Sequence, residues 1–418
     1  MNLTKEEGAM AEGKYGPGIE RCMQLLTKYG EAFGAEKLVN IASAHVFNAF
    51  SIDLLTELAE GAGEAGTFTT LHPFMSLCDP LSCNEMGISE DYFSIRKDEH
   101  EQRLKIYERL GFLQTYTCAP MFIGNLVKKG DFVSWFGSEI QLFANSVIGA
   151  KQNREGAVVN MATAITGRSP YIGLFFDENR YGEFLVEIEG LDLDLLTTID
   201  YSAIGYYIGG IVQDRNIVID GLNNTITLDD IKHLLTSISA SAATVLCHIV
   251  GVTPEAPDLG RALGNKKPKE KVRVGKEELR QTKAMYSNLP SDRVDLVILG
   301  CPHCTIQELK RMAVLIENQR VGTDQRLWVG TAHQIYDLAQ TMGYSQTIEE
   351  AGGIFARTCM ATIPDCPIPA DVKTVATNSF KTAHYVDRIS KGRIRVAVGE
   401  LEKCVHAAIR GKWEGAQV

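Results

Sequence analysis

This 418-residue chain lacks the common signatures of nucleotide and nucleophile chemistry. No G-x-G-x-x-G follows a strand-like run, and no G-x-x-x-x-G-K-[ST], G-x-S-x-G or H-E-x-x-H occurs. Such patterns cradle a pyrophosphate, wrap backbone N–H groups around a phosphate, lift a serine onto a strand-to-helix elbow, or hold zinc on one helix face. A nucleotide-dependent dehydrogenase, a P-loop NTPase, an α/β-hydrolase and a zincin are therefore not expected. Long apolar runs are missing too. Stretches such as AIGYYIGGIV (203–212) fall well short of the roughly 20 residues that span a bilayer. The amino-terminal MNLTKEEGAMAEGKYG carries charge and no apolar core, so it does not read as a signal peptide, and a cytoplasmic location is expected. Basic residues are in deficit, 42 Lys and Arg against 52 Asp and Glu. The resulting net charge of −10 disfavours nucleic acid or a membrane as partner, but leaves room for a local basic pocket. No short-period repeat and no low-complexity tract is found.

The chain is too long for one compact core, so two or three domains are expected. Strand-like and helix-like runs alternate along it, which indicates an α/β architecture with mixed or parallel sheets flanked by helices. Its polarity pattern suggests an N-terminal α/β region over 1–285, an α/β domain over 286–365 and a C-terminal βαβα segment over 366–418. The polar, locally basic stretch 256–281 reads as a solvated linker, with contact to an anionic partner as the alternative.

Ten cysteines in a reducing compartment are buried hydrophobes, reactive thiols or ligands. Three of them, Cys118, Cys301 and Cys359, each follow an apolar run that reads as a strand. Ligands of open α/β sheets bind beyond the carboxyl ends of the strands. These thiols can thus converge, one short of the four that close an ordinary iron–sulfur cluster. Cys301-Pro302-His303-Cys304 is also a C-x-x-C, readable as a redox dithiol, half a zinc site or a ligand pair. No second C-x-x-C completes a zinc ribbon. Cys78 and Cys83 flank a loop, Cys366 is a spare thiol near Cys359, and Cys22, Cys247 and Cys404 read as core.

Several polar residues could serve such a centre. Lys381 starts a helix after the strand-like VKTVATNS, where it could meet an anion or lie solvated. Glu139 opens another helix, as a general acid or base, a substrate contact, or a plain first-turn carboxylate. Asn153 and Arg154, with Thr166, Gly167 and Arg168, offer donors from two loops, and Arg suits bidentate anion recognition.

Together, SAH (43–45), TFTTLHP (67–73), TCAP (117–120), FANSVIGA with NREG (143–156), AITGRSP (164–170), LGCPH (299–303), RTC (357–359) and NSFKTAHY (378–385) resemble the large catalytic subunit of the aconitase X family. They run in family order over nearly the whole chain. The resemblance implies an aconitase-like multidomain fold with the active site at a domain interface. It also implies a hydro-lyase acting on a small anionic hydroxy acid such as cis-3-hydroxy-L-proline or mevalonate 5-phosphate. Cys118, Cys301 and Cys359 map onto the family's cluster ligands, with a four-iron, four-sulfur cluster favoured over three-iron and two-iron types. The open iron would act as Lewis acid for hydroxyl departure. Glu139 and Lys381 map onto its catalytic positions.

The sequence departs from the phosphomevalonate branch at Asn48, Ala49 and Phe50, at His72 of His72-Pro73, and at Ile140, all positions that line the substrate in that branch. The family also implies a swivelling domain, either fused or carried as a separate small subunit; a chain of 418 residues looks like the large subunit alone, and a heteromer is therefore expected. The rival readings are a non-catalytic cluster- or metal-binding redox or regulatory subunit, and a dithiol enzyme using Cys301 and Cys304.

Overall fold

Side chains alternating between two buried faces shape the carboxyl-terminal part of the chain. In the strand Leu296–Leu299, Leu296 and Ile298 join a core with Phe380, Ala383 and Val386, while Val297 and Leu299 join Leu309, Met312 and Val405 on the other face. Both faces are covered by helices, as an all-parallel sheet requires. The sheet runs in the order Gly353–Ala356, Arg326–Gly330, Leu296–Leu299, Thr374–Thr377, Arg395–Val398, and every pairing is parallel. Helices start where the sequence caps them. Thr305 and Glu308 form a reciprocal capping box ahead of Ile306–Ile316, and Ser379 caps Phe380–Ile389. This sheet crosses the boundary expected near 365. Its central pairing of Leu296–Leu299 with Thr374–Thr377 makes one unit of the two segments that sequence had separated. The computed structural model describes residues 1–74, 79, 82–222, 225–287, 289, 291–361 and 368–414, without the side chains of Phe93, Ile95 and Arg96. Cys78 and Cys366 therefore lie outside the described residues.

Residues 182–284 build a second parallel sheet, ordered Cys247–Ile249, Ile217–Asp220, Phe184–Ile188, Glu270–Val274. The helices Thr198–Val212 and Leu228–Ser241 pack so closely that a Cβ on Gly205 would lie 2.2 Å from the Leu234 carbonyl oxygen. The stretch expected as a linker is structured: it holds the short helix Leu259–Ala262 and the edge strand Glu270–Val274. That strand is mostly exposed and charged, and it pairs across the sheet through Lys271–Glu187 and Arg273–Glu189. A sheet edge protected by charge has the polarity of a linker, so composition alone misleads there.

The amino-terminal part holds a three-stranded parallel sheet, ordered Thr69–Leu71, Ser43–Val46, Val133–Trp135, and a two-stranded antiparallel ribbon of Leu38–Asn40 with Arg168–Pro170. Helices Pro17–Ala32 and Ala157–Thr166 cover it. The run before Cys118 is not a strand. It follows Thr69–Leu71 through the Leu113 and Thr117 N–H groups, but the Thr115 hydroxyl intercepts the Leu71 N–H and Tyr116 takes φ +43°. No helix among the described residues is long and apolar enough to cross a membrane.

Candidate active site

Three segments far apart in sequence bring their thiols to one region. Gly300 takes φ +94°, and a Cβ there would lie 2.1 Å from the Gly330 carbonyl oxygen, so the turn that presents Cys301 requires glycine. Cys359 follows the strand Gly353–Ala356, and its N–H donates to the Phe74 carbonyl at 2.8 Å. Cys118 arrives from its irregular segment, with its Sγ accepting from the His303 backbone N–H at 3.2 Å. Burial pushes the Cys118 thiol well up, helped by the charges of Glu139, Cys301 and Cys359. Burial also pushes Cys301 up to about 12, with Lys381 acting in the opposite sense. Thiols that feel one another's charge in a dry site stay protonated unless a cation takes the thiolates.

The donor set fits an iron–sulfur cluster. Thiolate-favouring donors stand ready: the His303 N–H on Cys118, and the buried Thr382 hydroxyl, whose contact with Cys301 favours the ionised thiol. A cluster takes one thiolate on each of several irons, so the thiols need not meet at a common point. Among the described residues, no three His, Cys, Asp or Glu side chains gather closely enough to share a single ion. Cys301 and Cys304 are both free and sit in cores on opposite faces of the sheet, so they form no disulfide.

Beside these thiols lies a cavity of about 220 Å³, walled by His72, Phe136–Glu139, Gln141, Arg154 and Glu155 on one side and by Cys359, Ala361, Lys381 and Tyr385 on the other. It therefore falls between the amino-terminal and carboxyl-terminal parts of the fold. Lys381 projects from the first turn of its helix and is only 6% exposed. Its Nζ donates to Glu139 Oε2 at 2.6 Å, Ser138 Oγ at 3.1 Å and Ser239 Oγ at 3.5 Å, so all three parts of the chain meet there. Burial opposes the charge on Lys381, but Glu139 and the Cys301 thiol outweigh it, and the ammonium is held above the usual lysine range. Burial likewise opposes ionisation of Glu139, and Lys381 overcomes it, so the carboxylate stays below its usual range.

The remaining sequence-selected residues divide. Arg154 lines the cavity, with its guanidinium making one long 3.4 Å contact to the Ala242 carbonyl and no ion pair among the described residues. His72 lines it as well. Asn48 supports His72 by donating to its backbone carbonyl at 2.6 Å, Ile140 is fully buried behind Gly137, and Pro73 is buried next in sequence. Ala49 is half-buried, and Phe50 packs edge-on against Phe47 while its carbonyl accepts from Arg103. None of Asn48, Ala49, Phe50, Pro73, Ile140 or Asn153 is among the cavity's lining residues. Asn153 is spent on the Ile172 carbonyl and the Leu174 N–H. Arg168 points elsewhere, pairing with Glu6 at 2.9 Å and Glu7 at 3.3 Å.

Sequence reasoning passed over Glu155, Gln141, Phe136 and Tyr385. Tyr385 had a signal, because it lies one turn beyond Lys381 at i+4 on the same helix. Glu155 had none beyond its place in NREG. Its carboxyl is buried, accepts from Ser134 Oγ at 3.0 Å and Ser169 Oγ at 3.3 Å, and is pushed by burial up to about 7.

Family models match almost the entire chain: Aconitase X first domain over residues 1–178, Aconitase X second domain over 182–284 and Aconitase X third domain over 294–410. The phosphomevalonate dehydratase large subunit of Methanocaldococcus jannaschii is 33% identical, over 96% of this chain and 99% of its own. The cis-3-hydroxy-L-proline dehydratase of Hypocrea jecorina is 30% identical, over 99% of this chain and 70% of its own. The crystal structure of Thermococcus kodakaraensis aconitase X in its holo-form superposes with a TM-score of 0.83 at 28% identity, over 98% of this chain and all of that one. Fold and kinship together define an α/β hydro-lyase, a dehydratase. The chain belongs to the aconitase X family.

Proposed function

We propose that this chain is the large subunit of an iron–sulfur-dependent dehydratase that removes water from a small anionic hydroxy acid. The observation that carries this reading is the convergence of Cys118, Cys301 and Cys359 beside a cavity that also holds a buried Lys381–Glu139 pair. Those three cysteines would hold the cluster, four-iron, four-sulfur in the favoured form. When bound, it supplies an open iron as Lewis acid for the departing hydroxyl.

The chain's own residues do the rest. Lys381 stays charged and offers Nζ protons to an anionic group of the substrate. Arg154 offers a second cationic contact from the opposite wall, and its guanidinium can bind a carboxylate or phosphate bidentately. Glu139 is held ionised and can take up a proton at a carboxylate oxygen, a kind of help worth about 10²–10⁴-fold. Phe136 and Tyr385 wall the cavity with rings and limit water. Relatives matched over nearly their full length are named large subunits, which supports a small-subunit partner that completes the site. We place its work in the cytoplasm, on a small metabolite; the net charge of −10 disfavours nucleic acid or an anionic membrane as partner.

The test is anaerobic co-expression with the small subunit, iron and sulfide analysis, and assay of water loss from cis-3-hydroxy-L-proline and mevalonate 5-phosphate. Bound iron and sulfide with turnover of either acid supports the proposal. An iron-free preparation that is fully active would refute the cluster, and a cluster-loaded complex inert on a wide hydroxy-acid panel would refute the dehydratase.

A further inference from the structure

A buried hydrogen-bond chain ends at the cavity, and its direction can be read atom by atom. Trp135 Nε1–H can only donate, and it donates to Ser43 Oγ at 2.7 Å. Ser43 Oγ–H donates to Asn125 Oδ1 at 2.6 Å. The Asn125 amide then spends its two protons on the Ala44 carbonyl at 3.2 Å and on Thr70 Oγ1 at 2.8 Å. Thr70 has one proton to give. His45 Nδ1 stands at 2.8 Å, whereas the Ala44 carbonyl is at 3.5 Å and already accepts from Asn125. Thr70 therefore donates to His45 Nδ1. A neutral His45 must then carry its proton on Nε2, which donates to His72 Nδ1 at 3.2 Å. A neutral His72 must in turn carry its proton on Nε2.

That last nitrogen has no partner among the described residues, although His72 lines the cavity. Asn48 pins the backbone of His72 through its carbonyl, and Phe136 meets the ring edge-on at 5.6 Å between centroids. Ser43, His45, Thr70, His72, Asn125 and Trp135 are each at most 4% exposed, so water does not compete for the links. Burial, with the charges of Lys381 and His303, keeps His72 near a pKa of about 3, and burial keeps His45 well below its usual range, in accord with two neutral rings.

We infer that His72 is a specificity-determining residue, fixed by the Trp135–Ser43–Asn125–Thr70–His45 chain as a neutral Nε2–H donor that selects an acceptor oxygen of the substrate, a carboxylate oxygen by class. This rests on the dehydratase reading above. Because His72 is neutral, it grips an oxygen without adding a third positive charge to Lys381 and Arg154. It also disfavours a substrate that presents a donor-only group there, such as an ammonium, since two donors would meet.

Neutron diffraction from the deuterated large-subunit and small-subunit complex reads the chain directly. The expected result is deuterium on Nε2 of both His45 and His72, with both Nδ1 atoms bare. Deuterium on Nδ1 of His72 overturns the inference, whatever the enzyme's activity. In kinetics, His72→Phe should lower kcat/KM for the substrate that is turned over by about 10- to 100-fold, the worth of one hydrogen bond to a charged group. His72→Asn, which restores an N–H donor, should recover part of the loss. Thr70→Val, which is remote from the cavity, should lower kcat/KM and move deuterium onto His45 Nδ1, whereas Thr70→Ser should do neither. If His72→Phe equals the parent in kcat/KM, the inference fails and the dehydratase stands. If neither acid is turned over by the parent complex, the dehydratase reading fails while the deuterium positions still decide the donor.

Discussion

Lys381 Nζ lies 2.6 Å from Glu139 Oε2, joining the carboxyl-terminal part of the fold to the amino-terminal part across the floor of the cavity. Neither side chain is more than about a tenth exposed, at 8% and 11%. A pair this dry is costly to assemble and more costly to break. Removing one partner strands the other charge, at about 3–5 kcal/mol.

Glu139→Gln should therefore unfold at markedly lower urea than the parent, and the double variant Glu139→Gln/Lys381→Met should regain much of that loss. Both should be at least 10²-fold down in kcat. Additive destabilisation in the double variant would show that the two charges are not coupled.

The cysteines make a sharper contrast. Changing Cys118, Cys301 or Cys359 to Ser should remove cluster iron and visible absorption from the anaerobically purified protein. Cys304→Ser should keep both, because Cys304 sits among Leu309 and Met312 on the far face of the sheet. Loss of iron from Cys304→Ser would move the ligand set onto the C-x-x-C.

Glu155 makes stability depend on pH. Its folded pKa, raised by burial to about 7, stands above the ordinary 4.5, so the folded state binds a proton that the unfolded chain has released. Its contribution is at its most favourable below pH 4.5 and is lost as pH rises through about 7. Glu155→Gln should match the parent in melting temperature near pH 4 and exceed it at pH 8. The full gap would be on the order of 3 kcal/mol, from about 1.4 kcal/mol per unit. A gap that does not change with pH would mean the carboxyl is already ionised when folded.

The two arginines should part company. Arg154→Ala should raise KM about 10- to 100-fold with a small effect on kcat, as expected for a lost charged contact. Arg168→Ala should leave KM unchanged and lower the melting temperature, since Arg168 ties the second strand of the antiparallel ribbon to Glu6 and Glu7 of the first helix. A raised KM in Arg168→Ala would return that residue to the substrate.

Local rules made much of this legible. The continuous apolar run Leu296–Leu299, the capping boxes and the glycine turn before Cys301 are short-range patterns, and the order of the family segments follows from the chain itself. Where local rules failed, a long-range partner had intervened. The stretch 256–281 looked like a linker because charge at a sheet edge and charge in solvent look alike until Glu187 and Glu189 are seen beside it. Phe112–Thr117 has strand composition, but Thr115 and Tyr116 divert the backbone ahead of Cys118.

Sequence by itself determined the α/β class and the family, and it picked out the three thiols, Lys381 and Glu139 as candidates. Those follow from residue type, order and periodicity, which are one-dimensional properties. Tertiary structure decided which charges meet. It joined Lys381 to Glu139 over 242 positions, turned Arg168 away from the cavity and Arg154 toward it, buried Glu155 until its proton is held near neutrality, and lined up His45 with His72. Desolvation and hydrogen-bond direction set the chemistry of each of these groups, and both depend on neighbours that only folding supplies.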